Sequence, residues 1–130
     1  MRVGIAGYGV VGKKRYSSII KNTSFTVTDI SEVNPTARDE IPDGVNVFDN
    51  YQDLISKAEL DIIFISLPNK YASDAVSLSL KKCLNVFCEK QPARTLEALL
   101  QVTEIYNKSS YQKLMYGVNH RFNLSVKEDK

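Results

Sequence analysis

The sequence predicts a doubly wound α/β fold: a mostly parallel, six-stranded sheet with helices on both faces. Three observations carry this expectation. Short apolar runs alternate with amphipathic stretches along the chain. Runs such as Ile62-Ile63-Phe64-Ile65 and Leu84-Asn85-Val86-Phe87 are apolar on both faces, as strands covered on both sides require. The first run, Arg2 to Ala6, leads directly into glycines. Strands separated by helical crossovers pair in parallel, which fixes the class.

Each element follows from its own residues. Arg2–Ala6 reads as a buried strand. Val10–Lys21 reads as a helix with Val10, Val11, Ile19 and Ile20 inward and Lys13, Lys14 and Arg15 on a solvated face. Phe25–Ile30 is a second strand. The stretch 31–44 holds Pro35, Pro42 and Gly44, so it is mostly loop or a short frayed helix. Val45–Phe48 is a short strand. Asn50, with Asp53 three residues on, reads as the N-cap of a helix through Ala58. Asp61–Leu67 is the most apolar strand and is bounded by Pro68. Ala72, Ala75, Val76, Ser79 and Leu80 then make the stripe of a helix packed on a sheet. Leu84–Cys88 is the next strand, Thr95 to Lys108 a capped helix, and Leu114–Val118 the last strand. Residues 1–118 form one domain. Residues 119–130 read as the start of a connection leading elsewhere.

Composition narrows the functional classes. The chain has 130 residues, enough for one domain with its own core. Hydrophobic residues are 43% and charged residues 25%, which excludes a disordered or fibrous chain. A net charge of +2 from 17 basic and 15 acidic residues argues against nucleic acid as a partner. No apolar run approaches the ~18 residues of a membrane span. The start MRVGIAGYG has no signal-peptide pattern, so the cytoplasm is expected. Cys83 and Cys88 are expected to be reduced there. One histidine, His120, leaves no basis for a histidine-rich zinc site or a His-based triad. Oligomeric state is not readable.

The motif with chemical meaning is Gly7-Tyr8-Gly9-Val10-Val11-Gly12, a G-x-G-x-x-G between strand and helix. The first glycine permits the tight turn, the second lets backbone approach a pyrophosphate, and the third permits close helix-on-strand packing. The helix N-terminus offers free N–H groups to phosphates. Asp29 lies 22 residues after Gly7 and is expected at the end of the second strand, beside Ile30. That is the spacing of a carboxylate for an adenosine ribose, and it favours NAD over NADP. Ligands of such sheets bind beyond the strands' carboxyl ends. The other ends expected there are Ser66-Leu67-Pro68-Asn69, Glu89-Lys90 and Asn119-His120-Arg121. Lys90 is the candidate proton or hydrogen-bond donor to a substrate oxygen.

The stretches VGIAGYGVVG, DIIFISLPN, NVFCEK and YGVNHRF, in this order, resemble the N-terminal domain of the glucose–fructose oxidoreductase, inositol dehydrogenase and rhizopine catabolism (Gfo/Idh/MocA) family. The resemblance covers essentially the whole chain. It implies an NAD(P)-dependent oxidoreductase acting by hydride transfer on sugar- or cyclitol-like alcohols. It implies that Gly7, Gly9, Gly12 and Asp29 hold the adenosine diphosphate half and that Leu67, Pro68 and Asn69 line the nicotinamide half. It assigns Lys90, from the family's Glu-Lys-Pro motif, to placing substrate and nicotinamide, and matches Arg121 to an arginine common after the last strand.

Three departures stand out. Gln91 occupies the place of the motif's proline, which moves to Pro92. Ala72 stands where a histidine is frequent, and Cys83 where a glycine is frequent. Family members also continue into a second domain that supplies most of the substrate pocket. The chain therefore reads as an excised domain or a natural short form, and a sugar-like substrate is expected only with that second domain. A stand-alone nucleotide-binding or redox-sensing module, and a scaffold without catalysis, are the alternative readings.

Overall fold

The computed structural model describes residues 1–89 in full and the backbone of 114–117. The expected helix from Thr95 to Lys108 and the connection 119–130 lie outside the described residues.

The described elements run β1 (Arg2–Ala6), α1 (Val10–Ile19), β2 (Thr26–Ser31), α2 (Pro35–Arg38), β3 (Asn46–Phe48), α3 (Tyr51–Lys57), β4 (Ile62–Ile65), α4 (Asn69–Lys81), β5 (Asn85–Glu89) and β6 (Leu114–Gly117). The six strands form one sheet in the order β3-β2-β1-β4-β5-β6. Every neighbouring pair is parallel. The chain builds outward from β1 to β3, then returns to the other side of β1 with β4. The crevice at this reversal, beyond the carboxyl ends of β1 and β4, is where such a sheet receives a ligand.

The core has two layers because the sheet is covered twice. On one face Ile63, Ile65, Leu54, Ile55, Val76 and Leu80 pack between β4 and the helices α3 and α4. On the other face Val3, Ile5, Ile19, Val27, Ile30 and Ile41 pack with Tyr8. The expected α4 stripe is borne out in full: Ala72, Ala75, Val76, Ser79 and Leu80 are all buried. In α1 the expectation is corrected. Ile19 and Gly12 are its buried residues, while Val10 and Ile20 face outward. The helix ends at Ile19, and Val10, as its first residue, stands at the mouth of the crevice instead of over the sheet.

The helix ends follow local chemistry. Asn50 caps α3, its Oδ1 accepting the Asp53 N–H at 2.7 Å. Asn34 caps α2, accepting from Thr36 N–H, with Pro35 at the first helical position. Helix α4 closes with Cys83 N–H donating to Leu80 O and Leu84 N–H to Ser79 O, a Schellman pair. That motif puts Cys83 at φ 66°, in the left-handed region. The family's frequent glycine at this place has a backbone reason.

Candidate functional site

The glycine turn is built by contact. A Cβ on Gly12 would lie 2.0 Å from the Gly7 carbonyl oxygen, so the third glycine lets α1 seat against the turn. Gly7 adopts φ 98°, and a Cβ there would meet the Ser66 carbonyl at 2.5 Å. Gly9 differs: nothing lies within 4 Å of where its Cβ would stand. It is exposed at the start of α1. Open space before bare backbone at a helix N-terminus is what a pyrophosphate needs.

Two adjoining hollows meet at Gly9. One, of 520 Å³, reaches from Gly7 and Gly9 past Glu32, Val33 and Asn34 to Tyr71. The other, of 400 Å³, is bounded by Val10, Val11, Ser66, Leu67, Pro68, Asn69 and Glu89. The structure thus brings Gly7, Gly9, Val10, Val11, Ser66, Leu67, Pro68, Asn69 and Glu89 together along one crevice. Val10 at 73% and Val33 at 71% exposure are apolar surfaces facing that space.

Three candidates are placed elsewhere. Asp29 is not at the end of its strand: β2 runs on to Ser31. Pairing with β1 skips a residue on β2 between Val27 and Asp29, and Asp29 pairs with Gly4 on one side and Asn46 on the other. It is 2% exposed. Its carboxylate accepts from Thr28 Oγ1 at 2.6 Å and Asn46 Nδ2 at 3.0 Å, tying β2 to β3. Ile30 is fully buried in the core. Tyr8 turns its ring inward against Tyr16, edge to face at 6.2 Å, and burial raises its phenol above the usual range. Its backbone N–H donates to Glu32. Lys90 and Arg121 lie outside the described residues, as do Gln91, Pro92, Asn119 and His120.

The carboxylate that does stand at the mouth is Glu32. Its Oε1 accepts the Tyr8 N–H of the glycine turn at 2.5 Å, and its Oε2 accepts the Asn34 N–H at 3.0 Å. The signal for it is present in the sequence. Asn34-Pro35 marks a helix start, so β2 must end just before it, and Glu32 is the acidic residue at that boundary.

Arg15 corrects a second expectation. It is half-buried and not on a solvated face. Its Nε and a terminal nitrogen donate to both Glu89 oxygens, the latter at 3.0 Å. The hydrogen bond to Glu89 raises the guanidinium above its ordinary value, against the opposing effect of burial. Lys13 pairs with Glu40 and Arg38 with Asp49, so neither cation is left over at the crevice. Among the described residues no cluster of His, Cys, Asp or Glu could hold a metal ion.

Comparison with known proteins agrees with this geometry. The family model GFO_IDH_MocA, "Oxidoreductase family, NAD-binding Rossmann fold", matches residues 1–120. The chain belongs to this family. It is 26% identical over 132 residues to D-glucoside 3-dehydrogenase of Escherichia coli K12, covering 98% of this chain and 37% of that protein. It is 24% identical over 127 residues to inositol 2-dehydrogenase of Salmonella typhimurium LT2, covering 94% and 38%. A crystal structure of scyllo-inositol dehydrogenase from Lactobacillus casei, with bound cofactor NAD(H) and scyllo-inositol, superposes at TM-score 0.84 with 25% identity. That match covers 99% of this chain and 39% of the other. The chain thus spans about two fifths of the length of these relatives, and it is the NAD-binding Rossmann domain of a Gfo/Idh/MocA oxidoreductase.

Proposed function

We propose that this domain holds NAD(H) for hydride transfer to or from a sugar- or cyclitol-like secondary alcohol, with most of the substrate pocket supplied by a second domain. The observation that carries the reading is the open space before Gly9, continuous with the hollows on both sides of it. The bound dinucleotide would supply the hydride acceptor or donor. The residues of this chain bind and orient it. The turn at Gly7 and Gly9 takes the pyrophosphate on its amides. The 520 Å³ hollow, with Val33 and Tyr71 on its walls, takes the adenosine half. Val10, Val11, Leu67 and Pro68 give the nicotinamide an apolar wall, with the Asn69 amide beside it. Lys90 follows Glu89 directly in the sequence and is the proposed donor to the substrate oxygen.

Glu32, in place of Asp29, is the proposed ligand of the adenosine ribose. Its carboxylate is at the crevice, fixed by the glycine turn itself. A ribose hydroxyl hydrogen-bonded to it contributes about 1.5–3 kcal/mol. A phosphate on that hydroxyl would meet a like charge, which costs several kcal/mol more in a partly buried site. The expected preference for NAD over NADP is ~10- to 1,000-fold. The test is the pair of dissociation constants for NAD and NADP. Glu32→Ala is expected to weaken NAD and narrow the gap. Asp29→Asn is expected to lower stability and leave the ratio alone. A ratio that moves with Asp29 and not with Glu32 would return the role to Asp29. Tighter binding of NADP by the unaltered chain would sink both.

A further inference from the structure

Most charged pairs of the described residues are surface pairs. The carboxylates of Lys13–Glu40, Arg38–Asp49 and Lys57–Asp53 keep 52%, 78% and 44% of their side-chain surface, and such pairs contribute about 0–1 kcal/mol. Arg15–Glu89 is built differently. The Glu89 side chain is 10% exposed. Both its oxygens are taken by the guanidinium fork. The guanidinium carbon also sits 5.0 Å from the centre of the Phe87 ring, two residues back on the same strand. A fork seated on an aromatic face is fixed in orientation as well as charge. The pair joins the first turns of α1 to the carboxyl end of β5, and Glu89 there bounds the same hollow as Val10 and Asn69.

We propose that Arg15 is a positioning residue for the nicotinamide end of the crevice, holding the Glu89 carboxylate in place and cancelling its charge against the nicotinamide ring. This rests on the dinucleotide reading above. The oxidised ring is a cation and the reduced ring is neutral. A bare carboxylate beside the ring favours the oxidised form, and a bare guanidinium favours the reduced form. The paired state leaves the choice of redox form close to neutral. Two substitutions must then act with opposite sign. Removing Arg15 uncovers the carboxylate; Glu89→Gln keeps the shape and uncovers the guanidinium. The pyrophosphate and adenosine ends lie away from the pair, so binding of ADP-ribose is independent of it.

The experiment measures dissociation constants of NAD⁺, NADH and ADP-ribose for the unaltered chain, Arg15→Ala, Arg15→Lys and Glu89→Gln. Arg15→Ala is expected to shift the NAD⁺-to-NADH preference toward NAD⁺ by about three- to tenfold, the size of one charge at a partly solvated site. Glu89→Gln is expected to shift it toward NADH by a similar factor. Arg15→Lys, which keeps the charge, restores the ratio to within about twofold. ADP-ribose stays within about twofold throughout. A packing role alone would weaken all three ligands together and leave the ratio fixed. That outcome overturns the proposal, as do shifts of the same sign in the two variants. If Arg15→Ala fails to fold, the sign in Glu89→Gln decides. Should the unaltered chain bind neither ADP-ribose nor NADH, the dinucleotide reading falls and takes this one with it. Binding of both with an unmoved ratio removes only the role of Arg15.

Discussion

At the scale of single residues, the glycines of one motif separate into two jobs. Gly12 has no room for a Cβ, because the Gly7 carbonyl stands 2.0 Å from where it would lie. Gly9 has open space and an ordinary φ of −78°. Gly12→Ala is therefore expected to destabilise the fold by on the order of 3 kcal/mol, through a backbone clash that cannot repack. Gly9→Ala is expected to leave the melting temperature within about 2 °C and still abolish dinucleotide binding, since its methyl fills the space proposed for the phosphate. Thermal melts with calorimetric titration of NADH check both. The two cysteines divide in a similar way. Both are free thiols, Cys83 exposed and Cys88 buried. Burial, with Glu89 adding to it, pushes the Cys88 thiol up to about 12. At pH 8 it is neutral as well as inaccessible, and the thiolate is the reactive form. Native alkylation at pH 8 is expected to add one label, on Cys83, and alkylation after unfolding two. Mass spectrometry of the two samples reads this directly.

At the scale of elements, the end of α4 carries a local cost. The Schellman pair needs a left-handed residue, and this chain places Cys83 there at φ 66°. A side chain in that region costs roughly 1–2 kcal/mol against glycine. Cys83→Gly returns part of that through a freer unfolded chain. The net expectation is a gain of about 1 kcal/mol, or roughly 3–6 °C in melting temperature for a domain of this size. A lower melting temperature would mean that the thiol makes a contact outweighing the strain. The same elements show where sequence patterns suffice. Asn50 with Asp53, and Ala72, Ala75, Val76, Ser79 and Leu80, are legible because capping and helical periodicity depend on residues a few positions apart. Val10 and Ile20 were not legible. They lie at the two ends of α1, where a helical period continues in sequence after its packing surface has ended.

At the scale of the whole molecule, the sheet order sets the carboxyl ends of β1 and β4 side by side, with the glycine turn and the segment from Ser66 to Asn69 along one crevice. Without the proposed second domain over the nicotinamide, a dinucleotide is held weakly. The chain is expected to bind NADH with a dissociation constant on the order of 10–1,000 μM. At a hundredfold excess over that constant, NADH stabilises the fold by about 2.7 kcal/mol, visible as a rise in melting temperature. Turnover with sugars or cyclitols and NAD is expected to be absent from this chain. Alignment of alcohol carbon and nicotinamide is worth about 7–11 kcal/mol, and in the proposed function a second domain supplies most of the walls that provide it. Absorbance of NADH in a substrate screen tests this; turnover lost in Lys90→Ala would establish the short chain as an enzyme.

The sequence by itself determined the fold class, the order of the described strands, the glycine turn and the family. Each of these depends on neighbours along the chain: alternation, periodicity, caps and a motif set between strand and helix. The helix start at Asn34-Pro35 marks Glu32 in the sequence as the boundary carboxylate, and tertiary structure decided that Asp29 is buried while Glu32 lines the crevice. Asp29 and Glu32 are three residues apart, and pairing of β2 with both β1 and β3 as far as Ser31 leaves Asp29 inside the sheet and Glu32 just past its end, a relation between distant segments. It also decided the role of Arg15. Nothing local to α1 announces Glu89, 74 residues away. Only the packing of α1 across the sheet brings a cation that reads as solvated surface onto a carboxylate left 10% exposed, where water screens the pair less.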